Sequence, residues 1–144
     1  MKYKPSIYNL SNGVTVILDP MEIESTIVKV CFQTGARDEQ PNEYGITHFC
    51  EHMMGRGTKN FPRKKLLDDY IEEHGGLRNA ATGYSALVFR GKILPENVNV
   101  LIGLLGEQIR DSLFLPERIE LERPVIIDEL RRMMDDPEEQ LGYF

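Results

Sequence analysis

His48-Phe49-Cys50-Glu51-His52 constrains this chain more than any other stretch. A helix turns by about 100° per residue, so His48 and His52 would lie about 40° apart on its wheel, with Glu51 about 60° to the other side. Ile46, Phe49, Cys50 and Met53 fall on the opposite half. One face packs, and the other presents two imidazoles and a carboxylate. Ring nitrogens four residues apart can ligate one metal ion, and a carboxylate beside them can reach a metal-bound water without ligating. The plainer reading is a polar helix face with incidental histidines. It leaves unexplained why two of only three histidines in 144 residues fall at this spacing.

A chain of 144 residues makes at most one ordinary domain. Its hydrophobic content of 41% and charged content of 28% fit a soluble, globular class. The net charge is −6, and the longest basic run is Arg63-Lys64-Lys65. That balance argues against nucleic acid as a partner and favours neutral or basic substrates. Two cysteines, Cys31 and Cys50, make no disulfide framework, and Cys50 on the packing face reads as a buried free thiol. No stretch is long enough to be a membrane span, and no apolar run follows Met1-Lys2-Tyr3-Lys4-Pro5. A cytoplasmic-type compartment is the expectation, with a cleaved targeting segment or an organelle matrix left open.

Residues 6–10 and 14–18 flank Ser11-Asn12-Gly13, and Asn-Gly between short β-prone runs predicts a hairpin. The run 26–32 predicts a strand ended by Gly35, followed by a polar loop from Ala36 to Glu43. The motif helix starts near residue 44, and Gly55 and Gly57 stop it. A second helix is expected from Arg63 to about Glu73, with Leu66, Leu67, Tyr70 and Ile71 at helical spacing. Pro62 suits its first turn, and His74-Gly75-Gly76 closes it. His74 at a helix C-terminus suits the helix dipole and needs no ligand role. Strands follow over 77–81 and 84–90, interrupted near Gly83. Leu94-Pro95-Glu96 leads into a helix to about residue 113, whose Val98, Leu101, Ile102, Leu104, Leu105 and Ile109 are expected in the core. Phe114-Leu115-Pro116 opens the last helix. There is no internal repeat, low-complexity segment or linker. The pattern predicts an α+β domain, a mixed sheet packed against helices.

The last helix carries a second signal. Glu122 and Glu129 are seven residues apart, so they share a stripe with Ile126 and Met133, flanked by Ile119 and Leu130. Carboxylates in an apolar stripe are costly to bury unless a cation or donor meets them. A metal at the His48/His52 face would meet Glu129. Arg118, four residues before Glu122, supports the competing reading of an ordinary surface pair. Pro124 inside this segment is expected to break or kink the helix.

His48-x-x-Glu51-His52 with a distant Glu129 resembles the inverzincin signature. It is similar to the pitrilysin-type zinc metallopeptidases, which include insulin-degrading enzyme and the catalytic subunit of the mitochondrial processing peptidase. Gly45 before the motif, and Met53 with Gly57-Thr58 after it, extend the likeness. So do Asn79-Ala80-Ala81-Thr82 and Glu122-Arg123-x-Val125-Ile126-Ile127-x-Glu129. The resemblance implies His48, His52 and Glu129 as Zn²⁺ ligands and Glu51 as general base. It implies Glu122 as an outer-shell support for the ligand imidazoles, and Asn79, Ala80, Ala81 and Thr82 as the edge strand on which a peptide substrate lies.

The implied fold is a pitrilysin/processing-peptidase-like domain, of which residues 1–144 would form the zinc-binding, N-terminal portion, an incomplete one. The family builds its proteases from several such domains in two halves around a chamber. Further domains, a partner subunit, or a homo- or hetero-oligomer are therefore implied, and the family's substrate-binding Arg and Tyr from a later domain have no counterpart here. Three residues depart from the pattern: Cys50 stands where leucine is usual, Gly55 where phenylalanine is common, and Pro124 lies inside the last motif. The implied function is a zinc-dependent endopeptidase that hydrolyses peptides with a zinc-activated water and Glu51 as base. The alternative is a non-hydrolysing, metal-holding interaction subunit or fragment that needs a partner chain for activity. A purely structural zinc site fits less well, because such sites are usually closed by four ligands and favour cysteine.

Overall fold

The computed structural model describes residues 4–135. Strands β1 (Ser6–Asn9) and β2 (Thr15–Leu18) form an antiparallel hairpin closed by Asn12-Gly13. Asn12 Oδ1 accepts the Val14 N–H at 3.2 Å, and the Leu10 N–H reaches the Val14 carbonyl at 2.9 Å. Strand β3 (Thr26–Phe32) pairs antiparallel with β5 (Leu87–Ile93), and β5 pairs antiparallel with β4 (Leu77–Thr82). The order β3-β5-β4 puts β5 at the centre and leaves β4 on an edge.

Alternation along β5 builds the core. Leu87, Phe89 and Ile93 point inward and are buried, while Arg90 and Lys92 face outward. Helices α2 (Lys64–Glu73) and α3 (Val98–Arg110) cover that inner face with Leu67, Ile71, Leu101, Leu104 and Leu105. Each such side chain contributes roughly 1.5–3 kcal/mol when fully buried. Four helices and two small sheets thus make the α+β architecture that the sequence pattern predicts.

Several boundaries differ from expectation. The strand expected over 84–90 lies three residues later, because residues 83–86 form the turn, with the Gly83 N–H donating to the Ala86 carbonyl at 2.8 Å. Helix α3 follows a short 3₁₀ turn (Pro95–Asn97) and stops at Arg110 rather than near 113. Residues beyond it leave the helix to pair with the loop after the His48–His52 motif. The Lys59 N–H meets the Asp111 carbonyl at 3.0 Å, and the Leu113 N–H meets the Gly57 carbonyl at 2.9 Å. Ile102, read as core, is 52% exposed, since it lies on the helix face away from the sheet.

The last helix, α4 (Pro116–Asp135), continues through Pro124 instead of breaking there. Pro124 sits on the exposed side, where solvent can take the place of the missing backbone bond to the Glu120 carbonyl. Glu122 and Glu129 consequently stay on one continuous helix.

Candidate metal centre

The motif helix, α1 (Ile46–Gly55), is held at both ends. Its N-cap, Gly45, has a φ of +89°, a left-handed conformation that any residue with a Cβ adopts only under strain. Glycine has no side chain to cap the helix, so a carboxylate comes from the preceding loop. Glu39 accepts the Gly45 N–H at 2.7 Å and the Thr47 N–H at 2.8 Å. Burial alone would raise the Glu39 carboxyl, but these two amides outweigh it and hold the group below the usual carboxylate range. A negative charge at this terminus also complements the helix dipole.

At the other end, Arg78 Nη2 donates to the Gly55 carbonyl at 3.4 Å, while the same guanidinium pairs with Asp68 at 2.7 Å. Gly57 lies so close to Pro62 that a Cβ there would sit 2.8 Å from its carbonyl carbon. Thr58 is fully buried, and its hydroxyl donates to Glu107. Met53, at 0% exposure, seats the apolar face of α1. The opposite face is therefore fixed relative to α4 and β4.

On that face the two imidazoles converge. His48 Nε2 and His52 Nε2 lie 3.0 Å apart, with the rings at 88° to each other. Glu129 Oε2 from α4 is 3.3 Å from His52 Nε2 and 3.9 Å from His48 Nε2. These three are the group of side chains among the described residues whose ligand atoms all lie within 4.8 Å of one another. Ligand atoms about 2.0–2.2 Å from a tetrahedral Zn²⁺ sit roughly 3.3 Å from each other, so the trio fits around such an ion.

His52 Nδ1 lies 2.8 Å from Glu122 Oε1. A carboxylate there accepts the Nδ1 proton and leaves the Nε2 lone pair turned towards His48 and Glu129. Glu122 is only 3% exposed, and both of its oxygens also meet Arg56, Oε1 through Nη2 and Oε2 through Nε. Burial would raise its carboxyl, but Arg56 and His52 overcome this and hold it below the usual range. The cation beside Glu122 is thus Arg56, not the Arg118 that helical spacing suggests.

Glu51 occupies the same cleft, a space of about 290 Å³ bordered also by His52, Arg56, Arg78, Ala80 and Glu129. Its Oε2 accepts a hydrogen bond from Thr82 Oγ1 at 2.6 Å. The four residues read as a substrate strand, Asn79 to Thr82, all lie on edge strand β4, but they split by face. Ala80 and Thr82 are half-buried on the helix side, while Asn79 and Ala81 are exposed on the other. Asn79 Oδ1 accepts the Ala80 N–H at 2.9 Å.

His74 stands apart, at the C-terminus of α2, with Nδ1 2.7 Å from the Tyr70 carbonyl. Cys31 and Cys50 are both free, Cys31 exposed and Cys50 half-buried. Sequence reasoning brought His48, Glu51, His52, Glu122 and Glu129 together and missed Arg56, Glu39 and the Thr82 bond. Arg56 carried a usable signal, since it follows His52 by one helical turn. Glu39 carried none, because a loop residue that caps a distant helix leaves no periodic trace.

The profile of the Insulinase family (peptidase family M16) matches residues 14–142. The chain belongs to that family. It is 32% identical over 140 residues to an uncharacterized zinc protease of Rickettsia bellii, covering 96% of this chain and 34% of that protein. It is also 32% identical over 123 residues to mitochondrial-processing peptidase subunit beta of Dictyostelium discoideum, covering 85% of this chain and 26% of that one. A crystal structure of a protease from Helicobacter pylori superposes with a TM-score of 0.88 at 26% identity, covering 96% of this chain and 34% of that chain. This member of the Insulinase family spans between a quarter and about a third of the length of those relatives. Among the described residues, no helix is long and apolar enough to cross a membrane.

Proposed function

We propose that residues 1–144 form the zinc-bearing portion of a zinc-dependent endopeptidase. The observation that carries this reading is the convergence of His48, His52 and Glu129, with Glu51 in the same cleft. His48 Nε2, His52 Nε2 and a Glu129 oxygen would hold Zn²⁺. The ion, when bound, supplies a Lewis acid that lowers the pKa of water towards neutrality and polarises a peptide carbonyl. The protein residues do the rest. Glu122 holds the His52 proton on Nδ1, which keeps Nε2 a lone-pair donor. Thr82 holds Glu51 Oε2, which leaves Oε1 to take a proton from the attacking water and pass it to the leaving amine.

An extended peptide adding to the free edge of β4 would draw affinity from main-chain hydrogen bonds. Its carbonyl would displace Asn79 Oδ1 from the Ala80 N–H. Further domains, in one polypeptide or in a partner subunit, would complete the walls of the cleft. Glu51 favours hydrolysis over mere metal holding, since it lines the cleft bonded to Thr82 rather than supporting a ligand imidazole as Glu122 does.

Metal analysis of the purified chain tests this reading. One Zn²⁺ per chain is expected, lost in H48A, H52A and E129A, together with peptide cleavage by the assembled enzyme that chelation abolishes. A wild-type chain with no affinity for Zn²⁺ would end the reading.

A further inference from the structure

We infer that Arg56 is a positioning residue of the metal centre, acting through Glu122 on His52. The inference rests on the proposed zinc site. Arg56 presents Nη2 to Glu122 Oε1 and Nε to Glu122 Oε2, a two-point grip on one carboxylate. The same Oε1 faces His52 Nδ1 at 2.8 Å. Arg56 therefore fixes the plane of the carboxylate, and the carboxylate fixes the imidazole.

Burial sharpens the point. Glu122 is 3% exposed, so its charge requires a local cation, whereas the Arg56 side chain keeps 31% exposure and opens onto the cleft. Arg56 leaves the end of α1, which carries both histidines, and Glu122 sits on α4, which carries Glu129. The pair joins the two elements whose relative placement sets the three ligand atoms. A lysine at this position would keep the charge but offer a point contact in place of the planar fork.

A purely structural ion pair would stabilise the fold without touching metal affinity per folded molecule, and this separates the two roles. Chelator competition gives the Zn²⁺ Kd of the folded chain for wild type, R56K, R56M, E122Q and R56M/E122Q, and the melting temperature of each zinc-free chain is measured alongside. Outer-shell losses typically weaken metal binding about 10–100-fold. R56M and E122Q should each show a loss of that order, R56K an intermediate one, and the double variant no more than the worse single. Wild-type Kd in R56M and R56K, or losses that multiply in the double variant, would overturn the inference. Should R56M fail to fold, R56K decides alone, and an unchanged Kd there overturns it. A wild-type chain without Zn²⁺ affinity would instead end the zinc reading, and this inference with it.

Discussion

His52 Nδ1 and Glu122 Oε1 lie 2.8 Å apart although 70 residues separate them in the chain. The contact joins α1 to α4 and sets a carboxylate acceptor beside Nδ1 of His52. It predicts that His52 of the Zn²⁺-loaded chain carries its ring proton on Nδ1, with Nε2 on the metal. Imidazole ¹⁵N shifts in long-range ¹H–¹⁵N spectra report this directly. An Nε2–H tautomer would contradict it.

Thr82 sets the second geometric constraint, on Glu51. A hydrogen bond to a charged group contributes about 1.5–3 kcal/mol, so its loss from an oriented base corresponds to roughly a tenfold fall in rate or more. T82V keeps the branched shape of a strand residue and removes only the hydroxyl. It should lower kcat of the assembled peptidase by about that factor with KM little changed. T82S should restore most of the rate. Equal activity in T82V and wild type would remove Thr82 from the mechanism.

Much of this site was legible in the sequence, for physical reasons. The helical period alone put His48 and His52 on one face opposite Met53, and a seven-residue interval put Glu122 and Glu129 on one stripe. Local chemistry also marked the Asn12-Gly13 hairpin and β3. Tertiary competition was not legible. The end of α3 depends on residues 111–113 pairing with 57–59, and the passage of α4 through Pro124 depends on that proline facing solvent. The cation beside Glu122 was misread for the same reason, because Arg118 is near in sequence and Arg56 is near in space.

Glu107 ties down the loop after the motif by accepting from the Thr58 hydroxyl and from both the backbone and side-chain amides of Asn60. Burial would raise its carboxyl, but the Thr58 and Asn60 bonds hold it below the usual range. A group depressed in the folded state stabilises fully above its unfolded pKa, about 4.3, and loses that contribution as pH falls through its folded value. E107Q should therefore lower stability at pH 7 by about 1 kcal/mol. In urea titrations the gap from wild type should shrink as pH drops below about 4. A gap that widens in acid would contradict this assignment.

The two cysteines should differ in reactivity. Burial, with the Glu39 carboxylate adding to it, pushes the Cys50 thiol up, whereas Cys31 is exposed on β3. Timed alkylation at pH 7 followed by peptide mass analysis should label Cys31 first. Faster labelling of Cys50 would show that α1 opens more readily than its packing implies.

The central claim is that Glu51 moves the proton in peptide hydrolysis while His48, His52 and Glu129 hold the metal. Glu51→Gln, prepared in the assembled enzyme, separates the two roles in one measurement of zinc content and peptide cleavage. The account predicts a full complement of Zn²⁺ with cleavage abolished. Cleavage at the wild-type rate by the zinc-loaded variant would contradict it.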